Sequence, residues 1–146
     1  MANPPMTKRV LIVDDDPHVV RYLEMLLQDN GYETLSAMDG REAIEMARRE
    51  RPDLITLDIS MPDVSGTRVY KELRTDPELA CLPVIIITAI VGFDGDRYAY
   101  EKFISHRRKV PPPEGFFPKP IDVEAFLAMV GELLDKPATH RLQPTC

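Results

Sequence analysis

Apolar positions along the chain switch between two periods. "RVLIVD" (9–14) is a short β-branched run, read as a buried strand. Val20, Leu23 and Leu27 then recur at helical spacing, with Asp16 as N-cap and Pro17 at the first helical position. Gly31 of "NG" stops that helix. "ETLSA" (33–37) reads as a weaker strand, and Asp39 with Glu42 makes a capping-box pattern for a helix through about residue 50. "DLITLD" (53–58) is another strand, followed by the loop "MPDVSG" and a helix over about 65–75 with Val69 and Leu73 on one face. "VIIIT" (84–88) has no alternation, as expected of a strand covered on both faces. "GFF" (115–117) opens a last short strand. Asp122 then caps a helix whose apolar stripe is Val123, Phe126, Leu127, Val130, Leu133 and Leu134.

Strands alternating with helices over short connections predict an α/β fold with a doubly wound, five-stranded parallel sheet. Such sheets bind ligands beyond the carboxyl ends of their strands, near a topological switch point. That rule gathers residues far apart in sequence. The first strand ends at Asp14 and Asp15, the third at Asp58 and the fourth at Thr88, and Lys119 follows the fifth. Taken singly, each has a plain reading: an acidic helix cap, a strand-end acid, a β-branched strand residue, a solvated lysine. Together they place three carboxylates, a hydroxyl and an ammonium at one sheet edge. Clustered carboxylates raise each other's pKa or collect a cation, and oxygen donors of this kind suit Mg²⁺.

Composition narrows the partners. The 146 residues carry a formal net charge of -6, which argues against a nucleic-acid or anionic-membrane surface. The start "MANPPMTKRV" has no long apolar segment, and "LPVIIITAIV" is too short to span a bilayer, so a cytoplasmic protein is expected. Cys81 and Cys146 have no metal-ligand spacing and read as free thiols. His18, His106 and His140 are too dispersed to suggest a metal site.

The pieces "LIVDDDP", "LITLDISMPDVSG", "VIIITA" and "FFPKP", in that order, resemble the receiver domain of two-component response regulators. The resemblance implies a CheY-like, flavodoxin-like sheet of strand order 2-1-3-4-5, with Asp58 as phosphoacceptor. It further implies that Asp14, Asp15, Asp58 and the backbone carbonyl of Ser60 hold Mg²⁺. Thr88 and Lys119 would contact the phosphoryl group, Phe116 would occupy the switch-aromatic position, and Pro120 would follow a cis peptide bond. The implied donor is a histidine kinase or phosphotransfer protein, with output through protein contacts. On this reading residues 1–7 are an N-terminal arm, 8–135 the receiver and 136–146 a flexible tail, and the protein is a monomer or homodimer and not an enzyme.

Two departures stand out. The segment from Thr88 to Lys119 is longer than the family pattern, with an insertion at about 92–113. Gly92 and Gly95 suggest a loop before a lengthened fourth helix, which "PPP" (111–113) breaks. A changed partner surface is expected there. Ile90 cannot hydrogen-bond a hydrolytic water, which predicts a long-lived phosphoryl group. Two other functions compete. A Mg²⁺-dependent aspartyl-nucleophile phosphohydrolase would need a second acid where Ser60 stands. A phosphate-independent binding module of the same fold would leave the acid pair, Thr88 and Lys119 without purpose.

Overall fold

The β-branched runs become strands and the amphipathic segments between them become helices, in a computed structural model that describes residues 7–59, 66–88 and 113–135. The strands are β1 (Arg9–Val13), β2 (Glu33–Ala37), β3 (Leu54–Leu57), β4 (Val84–Thr88) and β5 (Gly115–Pro118). Numbered among the described residues, the helices are α1 (Pro17–Asp29), α2 (Gly40–Glu50), α3 (Gly66–Thr75) and α4 (Val123–Asp135). All strand pairs are parallel, in the order β2-β1-β3-β4-β5 that the resemblance implied. The order reverses between β1 and β3, so the switch point lies where those two strands end. Ser60, Ile90, the stretch 89–112 and the two chain ends (1–6 and 136–146) lie outside the described residues.

Strand alternation divides the core into two layers. Leu11, Val13, Ile55, Leu57, Val84 and Ile86 pack with α2 and α3 on one face. Val10, Ile12, Leu54, Ile85 and Ile87 pack with α1 and α4 on the other. All five residues of β4 are buried, which is why that run shows no alternation. At the sheet edge, Phe117 meets Phe126 of α4 edge-to-face with ring centroids 5.8 Å apart. Gly115 lets that helix approach, because a Cβ there would collide with the Met129 sulfur.

The helix starts follow the side-chain chemistry. Asp16 accepts from the His18 N–H at 2.9 Å and Asp39 from the Glu42 N–H at 2.8 Å. The return arm of the expected capping box reaches one residue further than the pattern predicts: Glu42 accepts from the Met38 N–H. Asp122 accepts from the Ala125 N–H. Asp53, read as the first residue of the third strand, instead sits before β3 and accepts from the Arg9 N–H at 2.9 Å. Cys81 is disulfide-bonded, which corrects the free-thiol reading at that position.

A buried arginine organises the opposite, amino-terminal edge of the sheet. The Arg74 side chain is 3% exposed and donates to Leu82 O (2.6 Å), Ala80 O (3.2 Å), Tyr70 OH (3.0 Å) and Glu114 Oε1 (2.6 Å). The same Glu114 oxygen accepts from the Val84 N–H at 2.7 Å, and the Glu114 N–H donates to Val84 O. Arg74 thus ties α3, the turn before β4 and the residue that opens β5. Removing one partner of such a pair leaves a desolvated charge and two carbonyls without their donor. Arg74→Met is expected to lower stability by about 2–4 kcal/mol in chemical denaturation. Glu114→Gln keeps an acceptor and is expected to cost about 1 kcal/mol.

Candidate functional site

The site is built by strand endings. Beyond β1, the Asp14 N–H donates to Ala37 O at 3.2 Å, and beyond β3 the Asp58 N–H donates to Val13 O at 3.0 Å. These bonds extend the ladders by one residue and set both acids side by side at the switch point. They are 2% and 3% exposed, and Thr88, at the end of β4, is fully buried. The Lys119 N–H donates to Thr88 O at 2.8 Å, which carries the β4–β5 ladder one residue past the edge strand. The Lys119–Pro120 peptide is cis, as the resemblance implied.

From that position the lysine side chain returns over the switch point. Its Nζ lies 2.8 Å from Asp14 Oδ2 and 3.5 Å from Asp58 Oδ2. The other Asp14 oxygen accepts from the Asp16 N–H at 2.9 Å, so Asp16 caps α1 with its side chain and holds Asp14 with its backbone. Asp15 is exposed, yet carboxylate oxygens of Asp14, Asp15 and Asp58 all lie within 4.8 Å of one another. Four of the expected residues therefore converge: Asp14, Asp15, Asp58 and Lys119. Phe116 is partly buried against the α2–α3 side of the core. Strand alternation puts it on the same sheet face as Thr88, and it pairs in register with Ile86. The Ser60 carbonyl lies outside the described residues.

The electrostatics are unbalanced. Burial is the largest influence on Asp14 and pushes its carboxyl above the ordinary range; the Asp58 charge adds to that. The bonds from Lys119 and the Asp16 N–H pull the other way without overcoming it. For Lys119, burial alone would lower the pKa, but the bond to Asp14 and the charges of Asp58 and Asp14 lift it above its usual value. The difference between the two partners has a simple cause. The lysine faces two anions, whereas Asp14 faces one cation and another anion. Two unit charges at such a separation repel by about 3–4 kcal/mol at an effective dielectric near 20. The donor set is all oxygen and holds more negative charge than one ammonium offsets, and the exposed Asp15 gives a hydrated ion access. Those features fit Mg²⁺.

Two recesses flank this region. One of about 280 Å³ borders Lys119 and is walled by Val19, Tyr22, Leu23, Ile87 and Pro120. A larger groove of about 540 Å³ between α2 and α3 contains none of the converging acids. Two of its three arginines are drawn into ion pairs, Arg48 with Asp76 at 2.7 Å and Arg68 with Glu72 at 3.9 Å.

Residues 10–103 match the model of the response regulator receiver domain. The chain belongs to that family. It is 37% identical over 129 residues to the polar-differentiation response regulator DivK of Brucella ovis, covering 88% of this chain and 98% of that protein. A putative response regulator from Chloroflexus aurantiacus superposes with a TM-score of 0.77 at 27% identity, covering 90% of this chain and all of that one. The Vibrio cholerae chemotaxis protein CheY4 does so with a TM-score of 0.73 at 29% identity, covering 88% and 100%. This is a CheY-like receiver of two-component signalling, a signalling phosphoacceptor family rather than a conventional enzyme.

An acid whose folded pKa stands above its unfolded value holds its proton more tightly when folded. Its contribution to stability therefore falls as pH rises between the two values. For Asp14 that window opens near 3.8 and extends upward. At pH 7 without metal, Asp14→Asn is expected to be more stable than wild type by about 1–2 kcal/mol, and the difference should close at low pH. Thermal melts with and without Mg²⁺ should show the ion raising the wild-type Tm and leaving the variant's Tm nearly unmoved.

Proposed function

We propose that Asp58 accepts a phosphoryl group from a phosphohistidine on a histidine kinase or phosphotransfer protein. The observation that carries this reading is the Asp58 carboxylate, 3% exposed at the switch point, within reach of Lys119 and clustered with Asp14 and Asp15. In the transfer, an Asp58 oxygen forms the new P–O bond as the donor's P–N bond breaks, and the departing imidazole takes up a proton. The chain must orient Asp58 for in-line attack and offset charge on the transferred oxygens. Lys119, already beside the acceptor, supplies one cation. Asp14, Asp15, Asp58 and the Ser60 carbonyl would hold Mg²⁺, which would supply the second cation.

The product carries roughly one to two more negative charges than the free aspartate. In this reading Thr88, buried at the end of β4, supplies the hydroxyl that follows that charge. Phe116, on the same face of the neighbouring strand, supplies the ring that follows Thr88. The segment 92–113, which lies between Thr88 and β5 in the sequence, would pass the change to an output protein. Residues 8–135 would form the receiver unit, in a monomer or homodimer. The reading takes the protein to be cytoplasmic; among the described residues no helix is long and apolar enough to cross a membrane.

Intact-mass measurement after incubation with acetyl phosphate and Mg²⁺ tests the reading. Wild type should gain one phosphoryl group, Asp58→Asn none, and EDTA should suppress the gain. Wild type without phosphate under both acetyl phosphate and a phosphorylated phosphotransfer protein would refute it.

A further inference from the structure

Thr56 lies in the middle of the central strand β3, is 1% exposed, and has a hydroxyl with no hydrogen-bond partner. It is the one buried side-chain polar atom in that condition among the described residues. Its register neighbours are Ile12 on β1 and Ile85 on β4, both members of the apolar layer against α1 and α4. Packing does not call for a hydroxyl here. Valine has the same shape and a similar preference for strands, and would leave no polar group unmatched. Buried polar groups without partners are rare enough that each calls for a cause, an enclosed water among them.

The position supplies one. Side chains two residues apart on a strand point to the same face, so Leu54, Thr56 and Asp58 form a column. On β1 the adjacent column runs Val10, Ile12, Asp14. Thr56 is therefore the polar step directly beneath Asp58 and diagonally beneath Asp14, on the side of the sheet away from α2 and α3. Two residues of strand span about 6.6 Å, too far for a direct hydroxyl–carboxylate bond. Two hydrogen bonds in series through a single water reach about 5.5 Å, and side chains leaning along the strand direction close the remaining ~1 Å. A water in that place would have the two to four polar partners an enclosed water needs: the Thr56 hydroxyl and the carboxylates of Asp14 and Asp58.

We propose that Thr56 is a positioning residue of the acidic site, holding an enclosed water between its hydroxyl and the Asp14 and Asp58 carboxylates. The water donates to the carboxylates from below while Lys119 donates to them at the sheet edge. A hydroxyl both donates and accepts, so it can orient that water in a way a methyl group cannot. The acids are thereby held in one orientation before the ion and the phosphoryl donor arrive, as outer hydrogen-bonding partners hold metal ligands elsewhere. This inference deepens the phosphoacceptor reading and rests on it.

The test compares wild type, Thr56→Val, Thr56→Ser and Asp58→Asn in three measurements. Mg²⁺ affinity is read by calorimetry, since the chain has no tryptophan to report binding. The initial rate of phosphoryl uptake from acetyl phosphate and the metal-free Tm are read alongside. Thr56→Val is expected to weaken Mg²⁺ binding about tenfold and slow uptake by a similar factor, with Tm unchanged or lower. Thr56→Ser should return both to within about twofold of wild type. The inference is overturned if Thr56→Val binds Mg²⁺ and takes up phosphate within twofold of wild type. In that case Tm should rise by a few degrees, as when an unmatched hydroxyl is removed. It is equally overturned if serine fails to rescue, since the effect would then be one of packing. Failure of the underlying reading looks different: Asp58→Asn would then bind Mg²⁺ and gain phosphate like wild type.

Discussion

One ammonium shared between two buried carboxylates governs the functional end of this molecule. Lys119 bridges Asp14 and Asp58 and so joins the ends of β1, β3 and β5 across the sheet. It offsets only part of the charge that β1 and β3 deliver to the switch point. The ladder bonds beyond β1 and β3 fix the backbone of both acids at the sheet edge, where their side chains are buried. The sheet is thus arranged to keep a deficit of positive charge in a place where water cannot dissipate it. On the proposed function, that deficit is what would draw a cation and, through it, a phosphoryl group.

Much of this was legible in the residues, for physical reasons that can be named. β1 and β4 could be read because unbroken β-branched runs have few alternatives in a short segment. The starts of α1 and α2 could be read because Asp16 and Asp39 satisfy backbone donors two or three residues away, within the span a local pattern can express. The convergence of the acids was legible only through topology, since parallel strands deliver their last residues to one edge. The Arg74–Glu114 pair was not legible at all. Its partners are 40 residues apart, and neither has a neighbour that marks it as buried. Thr56 was hidden for the opposite reason: it is an ordinary strand residue by propensity, and only the packing around it shows that its hydroxyl is unmatched.

Kinship with DivK and with the solved receivers extends over about nine-tenths of the chain, so the common architecture is not in question. On the reading proposed above, the acid pair, Thr88 and the lysine carry the chemistry, and the longer stretch between Thr88 and Lys119 carries the output. The two roles would then fall on different parts of the chain, one at the strand ends and one in the connection leaving β4.

The mooring of Glu114 bears on where β5 begins. Its N–H and its carboxylate both grip Val84, and Arg74 clamps it from α3, so the strand that follows enters the sheet in a register set locally. Whatever length of chain lies upstream, Phe116 and Lys119 arrive at the same height against β4. The pair acts as a registration stop: the height at which the lysine meets the acids is decided by contacts made where the strand begins.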